Sequence, residues 1–287
     1  MPIISTSGLT HVYGENTPFK VAAINDISIE IGKGEFVGII GHTGSGKSTL
    51  IQHLNGILKP SAGKVFLEGK DIWENKKSVR QARFKVGLCF QYPEYQLFEE
   101  SVYKDIAFGP KNMGLSEKEI DKRVVQAAEY VGLAASLLEK SPFDLSGGEK
   151  RRAAIAGVMA MQPAVLILDE PTAGLDPRGR DKILNLIKDY RESTGSTVVL
   201  VSHSMEDVAK YVQRVLVVRN SRLEMQGSIK DIYSKGELLK DMGLDVPQIT
   251  KVFEILQGKG LDVRGDIFTL EEGFNELLKF FGKEVSV

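Results

Sequence analysis

The sequence predicts an α/β protein built on a parallel β-sheet. Apolar runs at residues 164–168, 198–201 and 215–218 alternate with segments of helical periodicity at 178–192 and 204–211. Because these strands are apolar throughout, both of their faces must be covered, as in a parallel sheet flanked by helices. Another apolar run, at 36–40, leads directly into a glycine-rich loop.

The first 70 residues are predicted to be mostly strands. Residues 27–31 alternate isoleucine with polar residues, which is typical of a strand with one buried face, and residues 64–68 alternate again. Between these strands, residues 49–58 have helical character, and we expect Pro60 to end that helix.

A mostly helical segment is predicted at residues 92–160. It follows a short apolar strand at 86–90, in which Cys89 is expected to be a buried core residue. Within the segment, Ser116 and Glu119 have the spacing of a capping box at the start of a helix.

The character of the sequence changes near residue 228. Short amphipathic helices are expected at 229–242, 248–257 and 270–281. Thr269 and Glu272 have the spacing of a second capping box. We therefore divide the chain into a main domain, 1–227, and a small C-terminal helical or mixed domain, 228–287.

The composition excludes several classes of protein. The 287 residues carry 37 basic and 38 acidic side chains, so net charge gives no general attraction to nucleic acid or anionic lipid. A single cysteine excludes a disulfide framework and any multi-cysteine metal site. The apolar runs are far shorter than the roughly 18 residues of a membrane span, and the first residues lack the pattern of a signal peptide. These features lead us to expect a soluble, cytoplasmic chain.

Residues 41–48 fit the phosphate-loop pattern G-x-x-x-x-G-K-[ST]. Glycines allow backbone N–H groups to curl around a phosphate, and the following helix directs its positive end at the anion. Lys47 is expected to reach the β- and γ-phosphates, and Ser48 to ligate Mg²⁺. The alternative, a structural glycine turn, does not explain the strand before the loop and the helix after it.

Two carboxylates follow the buried strand at 165–168. Ligands bind at the carboxyl edge of such sheets, so Asp169 suits an Mg²⁺ site. Glu170 is the candidate to polarise a water for attack on the γ-phosphate. The alternative is that both are ordinary strand-end residues.

A second anion-binding helix start is predicted at residues 145–149. Ser146 precedes Gly147 and Gly148, and a run of helix formers follows. Alone, this stretch is also compatible with a simple capped turn. A chain that already has one phosphate loop suggests another use, namely completing a nucleotide site on a second copy of the fold.

Together these motifs resemble those of the ATP-binding cassette (ABC) ATPases, over residues 3 to about 227. The matching positions are Gly41, His42, Thr43, Gly44, Ser45, Gly46, Lys47, Ser48 and Thr49 in the Walker A loop, 165–170 in the Walker B strand, and Leu145, Ser146, Gly147, Gly148 and Glu149 in the signature motif. The resemblance implies a RecA-like parallel-sheet core, an antiparallel β subdomain and a helical subdomain that carries the signature. It also implies ATP and Mg²⁺ as ligands, with Ser48, Gln91 and Asp169 near the metal.

The same resemblance assigns roles to single residues elsewhere. Gln91 matches the Q-loop glutamine, Asp176 the D-loop, and His203 the switch histidine at the γ-phosphate. Tyr13 matches the aromatic residue that stacks on adenine, with Phe19 as the alternative. The implied catalytic residues are Glu170, His203, Lys47 and Gln91.

A narrower resemblance is to the ATPase subunits of energy-coupling factor (ECF) transporters. It rests on residues 41–56, 90–100, 105–110 and 202–208. Those transporters import vitamins or transition-metal ions, and they pair two ATPases with a transmembrane coupling protein and a separate substrate-binding membrane protein. Glu149 departs from this group, which usually has Gln at that position of the signature.

The resemblance implies an ATP-hydrolysing subunit on the cytoplasmic face of the cell membrane. It would pair with a second ATPase subunit, as a homodimer or a heterodimer, and contact the coupling protein through residues 91–110. We expect no nucleic-acid partner. The alternatives are an ATPase of another ABC transporter and a soluble ABC ATPase without transport.

Two groups of side chains remain outside these motifs. A basic run is expected to be a solvated helix face, with lipid or partner contact as the alternative; its members are Lys76, Lys77, Arg80, Arg83 and Lys85. His11 and His53, like His42 within the loop, are expected to be loop or surface residues.

Overall fold

The strands of the described residues, 1–282 of a computed structural model, form two sheets. In chain order they are β1 (Ile4–Tyr13), β2 (Val21–Ile31), β3 (Phe36–Ile40), β4 (Ala62–Leu67), β5 (Lys70–Asp71), β6 (Val86–Cys89), β7 (Val165–Asp169), β8 (Thr197–Val201), β9 (Arg214–Arg219) and β10 (Arg222–Ser228). One sheet is antiparallel, with the order β2-β1-β4-β5. The other has the order β10-β9-β3-β8-β7-β6 and is parallel except for β10. The expected α/β class with an additional antiparallel sheet is confirmed.

The helices of the same residues pack around these sheets. They are α1 (Lys47–Leu54), α2 (Lys76–Lys85), α3 (Val102–Asn112), α4 (Glu117–Tyr130), α5 (Gly147–Met159), α6 (Pro177–Thr194), α7 (Met205–Tyr211), α8 (Ile229–Tyr233), α9 (Gly236–Asp241), α10 (Gln248–Gly258) and α11 (Leu270–Phe280). Short 3-10 turns lie at Pro93–Gln96, Ala135–Leu137 and Pro142–Asp144. The predicted helical segment therefore contains α3, α4 and α5.

The parallel strands are buried on both faces, as their apolar sequences predict. On β3, Phe36 and Ile40 point to a core shared with α3 to α7, whereas Val37 and Ile39 point to a second core shared with α1 and the antiparallel sheet. Cys89 is buried in the first core, where burial raises the pKa of its thiol to about 12. The cysteine therefore lies where the sequence predicts.

The parallel sheet brings four chain segments to one edge. Because β3, β8, β7 and β6 run parallel, their carboxyl ends meet at the same side of the sheet. Residues 41–48, His203 and Gln91 follow the ends of β3, β8 and β6, and Asp169 is the last residue of β7. The topology thus collects residues from distant parts of the sequence.

Helix α1 ends earlier than predicted, and Pro60 does not end it. The Gly56 N–H donates to the His53 carbonyl, and the Ile57 N–H donates to the Gln52 carbonyl. Gly56 has φ of 76°, which completes a Schellman motif after Leu54. The glycine ends the helix before the proline is reached.

His53 is also not a surface residue. It lies on α1 with no exposed side-chain surface, on the same face as the buried Leu50 and Leu54. The prediction was wrong because it ignored the helical spacing that puts His53 among these apolar residues.

Capping differs between the two predicted boxes. At α4 the Ser116 hydroxyl accepts from the Glu119 N–H, but the Glu119 carboxylate pairs with Arg123 instead of returning to Ser116. At α11 both halves of the Thr269–Glu272 box are present. Only the second box is complete.

The C-terminal segment is built from short helices, but the predicted helix at 229–242 is two helices, α8 and α9. Tyr233, Leu239 and Phe268 join the core around the parallel sheet, while Phe253 and Ile267 belong to a separate small cluster. The division at residue 227 remains a prediction. Within residues 1–282, no helix has the length and apolar character needed to cross a membrane.

Candidate functional site

The loop at residues 41–48 has a backbone that only glycines can adopt at its two ends. A Cβ on Gly41 would lie 2.2 Å from the Val218 carbonyl oxygen, and one on Gly46 would lie 2.4 Å from that of Ala23. Gly46 also has φ of 109°, and it begins α1 without a side-chain cap. The first N–H groups of α1 are therefore free to bind an anion.

Lys47 is held over the same loop. Its Nζ donates to the carbonyl oxygens of Gly41, at 2.7 Å, and of His42, at 3.0 Å. Burial lowers the pKa of Lys47, although Glu170 and Asp169 oppose this. The Ser45 hydroxyl oxygen, within the loop, is buried with no hydrogen-bond partner in the described part of the chain. The loop thus presents a cation and free N–H groups, which together fit a polyphosphate.

Ser48 and Asp169 meet across the sheet edge. The Ser48 hydroxyl donates to Asp169 Oδ2 at 3.1 Å, and Asp169 is buried at the end of β7. Burial raises the pKa of Asp169, while the bond from Ser48 and the charge of Lys47 oppose the rise. A hydroxyl and a carboxylate at the phosphate loop are the oxygen donors that a hard divalent cation prefers.

Glu170 has an unusual backbone at the end of β7. Its φ is 51°, which a non-glycine residue rarely adopts, and its N–H donates to the Val201 carbonyl of β8. Burial, and then the charge of Asp169, raises the pKa of Glu170 to about 7. A carboxylate with a raised pKa at a strained position is characteristic of a catalytic base.

His203 faces Glu170 from the segment that follows the adjacent strand β8. Its Nε2 lies 3.1 Å from Glu170 Oε1, and about half of its side chain is exposed. Burial and the Lys47 charge lower the pKa of His203, so the neutral imidazole is favoured near pH 7. The structure therefore brings Lys47, Ser48, Asp169, Glu170 and His203 to one edge of the sheet.

Tyr13 lies beside this group at the end of β1. Its hydroxyl oxygen is 3.4 Å from Thr49 Oγ1, and 43% of the residue is exposed. Phe19, the alternative, is 84% exposed in the turn between β1 and β2. Thr49 belongs to α1, so the contact links Tyr13 to the phosphate loop.

Gln91 does not contact the residues gathered at the sheet edge through any side-chain hydrogen bond in the described part of the chain. It is exposed two residues after β6 and forms no side-chain hydrogen bond with any described residue. Tyr92 follows with φ of 54°, and the chain then enters a 3-10 turn. The predicted metal contact of Gln91 remains a prediction.

The signature residues form the start of α5. The Ser146 hydroxyl donates to Glu149 Oε2 at 2.6 Å, and the Ser146 N–H donates to the same oxygen at 2.8 Å. Leu145 is buried, whereas Ser146 and Gly147 are exposed. A Cβ on Gly147 would contact no described residue within 4 Å, and one on Gly148 would meet only Arg152, at 3.7 Å. Folding of this chain therefore does not require these two glycines.

Asp176 is used as a helix cap. Its Oδ1 accepts from the Gly179 N–H at 2.6 Å, at the start of α6. The predicted D-loop role is compatible with this position, since the residue is exposed. That role also remains a prediction.

Sequence reasoning missed Arg151. Its side chain is buried on α5, where it pairs with Glu94 at 2.6 Å and donates to the carbonyl oxygens of Pro171 and Ala173. Arg151, Ile155 and Met159 are spaced by one helical turn and are all buried. A cation in an apolar stripe was the available signal, because a buried charge requires a partner.

A glycine phosphate loop between a strand and a helix, with an acidic strand end beside it, defines the phosphate-loop nucleoside triphosphatases. Comparison with known families narrows the class. The family described as ABC transporter matches residues 24–173. The chain belongs to the ABC transporter family, and the predicted ATPase class is confirmed.

Individual relatives are similar to this protein in sequence along almost the whole chain. The energy-coupling factor transporter ATP-binding protein EcfA2 of Clostridium tetani is 53% identical over 284 residues, which cover 99% of each chain. EcfA2 of Clostridioides difficile is 54% identical over 278 residues, which cover 96% of each. The predicted energy-coupling factor group is thereby confirmed.

Solved structures show the same fold. CbiO1 from Clostridium perfringens, part of the ABC transporter complex CbiONQ, has a TM-score of 0.75 and 39% identity, over 88% of this chain and 99% of that one. The ATP-binding cassette MJ0796, a dimer in a post-hydrolysis state bound to ADP and Pi, has a TM-score of 0.71 and 26% identity, over 79% and 98%.

Proposed function

We propose that this chain is the ATP-hydrolysing subunit of an energy-coupling factor importer for vitamins or transition-metal ions. The observation that carries the proposal is the meeting of Lys47, Ser48, Asp169, Glu170 and His203 at one edge of the sheet. ATP binding and hydrolysis belong to residues 1–227, with residues 228–287 as an added C-terminal unit.

Each of these residues has a task that its surroundings support. Lys47 and the N–H groups at the start of α1 hold the β- and γ-phosphates. Ser48 and Asp169, with Gln91, hold Mg²⁺, which neutralises charge on the phosphates when bound. Glu170 accepts a proton from the attacking water, and His203 contacts the γ-phosphate and orients Glu170. Tyr13 stacks on the adenine.

The signature residues act on the nucleotide of a second ATPase subunit. Ser146, Gly147 and Gly148 form an exposed helix start whose glycines leave room for close approach of a ligand. Since no contact within the described chain requires either glycine, we infer that they serve the approach of a ligand. We infer that two ATPase chains enclose two ATP molecules, and that the γ-phosphate closes the pair.

A transmembrane coupling protein docks on residues 91–110. Tyr95, Phe98 and Phe108 are exposed there, and Phe98 and Phe108 meet edge to face at 5.0 Å. A groove of about 310 Å³ runs beside them. Exposed aromatic side chains in a concave surface are typical of protein interfaces. The chain then lies peripherally on the cytoplasmic face of the membrane, and a substrate-binding membrane protein completes the complex.

Co-purification tests the transporter assignment. The tagged chain, expressed in its own host and extracted in detergent, is expected to bring down a multi-spanning membrane protein, and a Phe98→Asp variant is expected to lose it. ATP binding should be unchanged in that variant, since Phe98 lies outside the phosphate loop. Recovery of the wild-type chain without any membrane protein would contradict the assignment.

A further inference from the structure

Two histidines connect the aromatic ring of Tyr13 to α1, the helix that follows the phosphate loop. His53 Nδ1 lies 2.7 Å from the Thr49 carbonyl oxygen, and His53 Nε2 lies 3.2 Å from His11 Nδ1. The rings of His11 and His53 have centroids 4.7 Å apart, and those of His11 and Tyr13 are 4.5 Å apart in an edge-to-face arrangement. Since Tyr13 also touches Thr49 through its hydroxyl, the contacts close a ring.

The hydrogen bonds determine where the protons of this ring lie. A carbonyl oxygen only accepts, so His53 must carry its proton on Nδ1. Burial lowers the pKa of His53, while hydrogen bonds to the backbone of Thr49 and Lys59 oppose this. A neutral ring with its proton on Nδ1 offers Nε2 as an acceptor. His11 must then donate from Nδ1. These contacts hold the two rings against each other and fix the orientation of His53.

The position of Tyr13 explains why its ring needs the support of His11 and His53. Tyr13 is the last residue of β1, and the pairing with β2 is irregular at this end of the strand. Beyond it lies an exposed turn, in which Phe19 is 84% exposed. His11 and Tyr13 are two residues apart, so their side chains lie on the same face of the strand. Without His11, Tyr13 would keep the 3.4 Å contact of its hydroxyl with Thr49 Oγ1 but lose the ring contact.

We propose that His11 and His53 are positioning residues that hold the Tyr13 ring as a platform for the purine base, at a set distance from the phosphate loop. His53 is anchored to Thr49, two residues after Lys47, so the platform and the phosphate site share one rigid helix. The inference rests on the proposed stacking role of Tyr13 and extends it to two residues that do not touch the nucleotide.

Calorimetry with two ligands tests the inference on the full chain. In the presence of Mg²⁺, His11→Ala is expected to weaken ATP binding about three- to tenfold, which is part of the value of a base–aromatic stack. Binding of inorganic tripolyphosphate, which has no base, should stay within about twofold of wild type. The kcat at saturating ATP should be unchanged. Val12→Ala, on the opposite face of the same strand, is the matched control and should change neither affinity.

Double variants separate this inference from the proposed role of Tyr13. Adding His11→Ala to Tyr13→Ala should cause no further loss of ATP affinity, because the platform is already absent. Loss of affinity in Tyr13→Ala but not in His11→Ala would overturn the positioning role while leaving the stacking role intact. If Tyr13→Ala binds ATP normally, the stacking role itself fails, and the inference fails with it.

His53→Phe gives a second test, because it fills the same space without the two hydrogen bonds. A loss confined to ATP supports the inference. An equal loss of tripolyphosphate affinity would mean that His53 shapes the phosphate loop itself, and would overturn it.

Discussion

Arg151 and Glu94 form a bidentate, largely buried ion pair between α5 and the segment after Gln91. Arg151 Nε and Nη2 donate to the two carboxylate oxygens of Glu94, at 3.0 and 2.6 Å. Arg151 Nη1 also donates to the Ala173 carbonyl, three residues past Glu170. One side chain therefore connects the proposed docking surface, α5 and the loop after β7.

Removal of Glu94 is expected to destabilise the fold strongly. Glu94→Ala leaves a buried guanidinium without its partner, which typically costs about 3–5 kcal/mol. Glu94→Gln keeps one acceptor and should cost less. The free energy of unfolding from urea titration measures both, with Glu237→Ala, an exposed residue on α9, as the control. A change below about 1 kcal/mol in Glu94→Ala would show that the pair contributes little.

Lys47→Ala is expected to weaken ATP binding by about tenfold or more, because a charge-assisted contact to the phosphates is lost. Calorimetry with ATP and Mg²⁺ measures the change, and Lys77→Ala, on the exposed face of α2, serves as the control. Wild-type affinity in Lys47→Ala would contradict the assignment of the phosphate loop.

Glu170→Gln is expected to keep ATP binding and to lower kcat at least about 100-fold, since an amide cannot accept the proton of the attacking water. Steady-state hydrolysis and calorimetry on the same preparation separate the two effects. Normal turnover in this variant would exclude Glu170 as the base.

The raised pKa of Glu170 also predicts how stability depends on pH. Its ordinary value is 4.5 and its folded value is about 7, so between these limits the folded chain binds more protons than the unfolded chain. The contribution of Glu170 to the free energy of unfolding must therefore fall as pH rises from 4.5 to 7. In nucleotide-free, metal-free protein, Glu170→Gln should be more stable than wild type at pH 8, on the order of 1 kcal/mol after allowing for solvent screening. The difference should vanish near pH 4.5; a constant difference across this range would contradict the shift.

Much of the site follows from sequence because it lies on a parallel sheet. The strands that lead to the phosphate loop and to Asp169 are apolar throughout, and parallel strands share their carboxyl edge. A meeting of Ser48 and Asp169 can therefore be foreseen. Gln91 lies in a loop between β6 and a 3-10 turn, where no helix or strand periodicity predicts the direction of its side chain. Its side chain is exposed in the structure, away from the hydrogen bonds of the site.

Other features depended on distant partners. The burial of His53 follows from its helical spacing, but its contact with His11 joins two elements whose pairing no local pattern reveals. Arg151 could be recognised as a buried cation, but its carboxylate lies 57 residues away. The proposed role of Ser146 was suggested by its position in the sequence, and within this chain its hydroxyl only caps α5.

The carboxylate of Glu149 accepts the hydroxyl proton that Ser146 would need to bind the ATP of a second subunit, as proposed above. The Ser146 hydroxyl has one proton, and it donates that proton to Glu149 Oε2 at 2.6 Å. The hydrogen bonds from Ser146 lower the pKa of Glu149, so the group is charged at neutral pH. A γ-phosphate from the second subunit would compete for the same proton and meet a like charge.

Glu149→Gln keeps an acceptor for Ser146 and removes the charge. In a Glu170→Gln background, which prevents turnover, we expect it to strengthen ATP-dependent dimerisation about two- to fivefold, with a smaller gain at high salt because exposed charges are screened. Analytical ultracentrifugation at low and high ionic strength measures the effect. Glu272→Gln is the matched control, because Glu272 forms the same capping box with Thr269 at the start of α11. If both variants shift the dimer equally, or if neither does, the charge at the signature does not oppose closure.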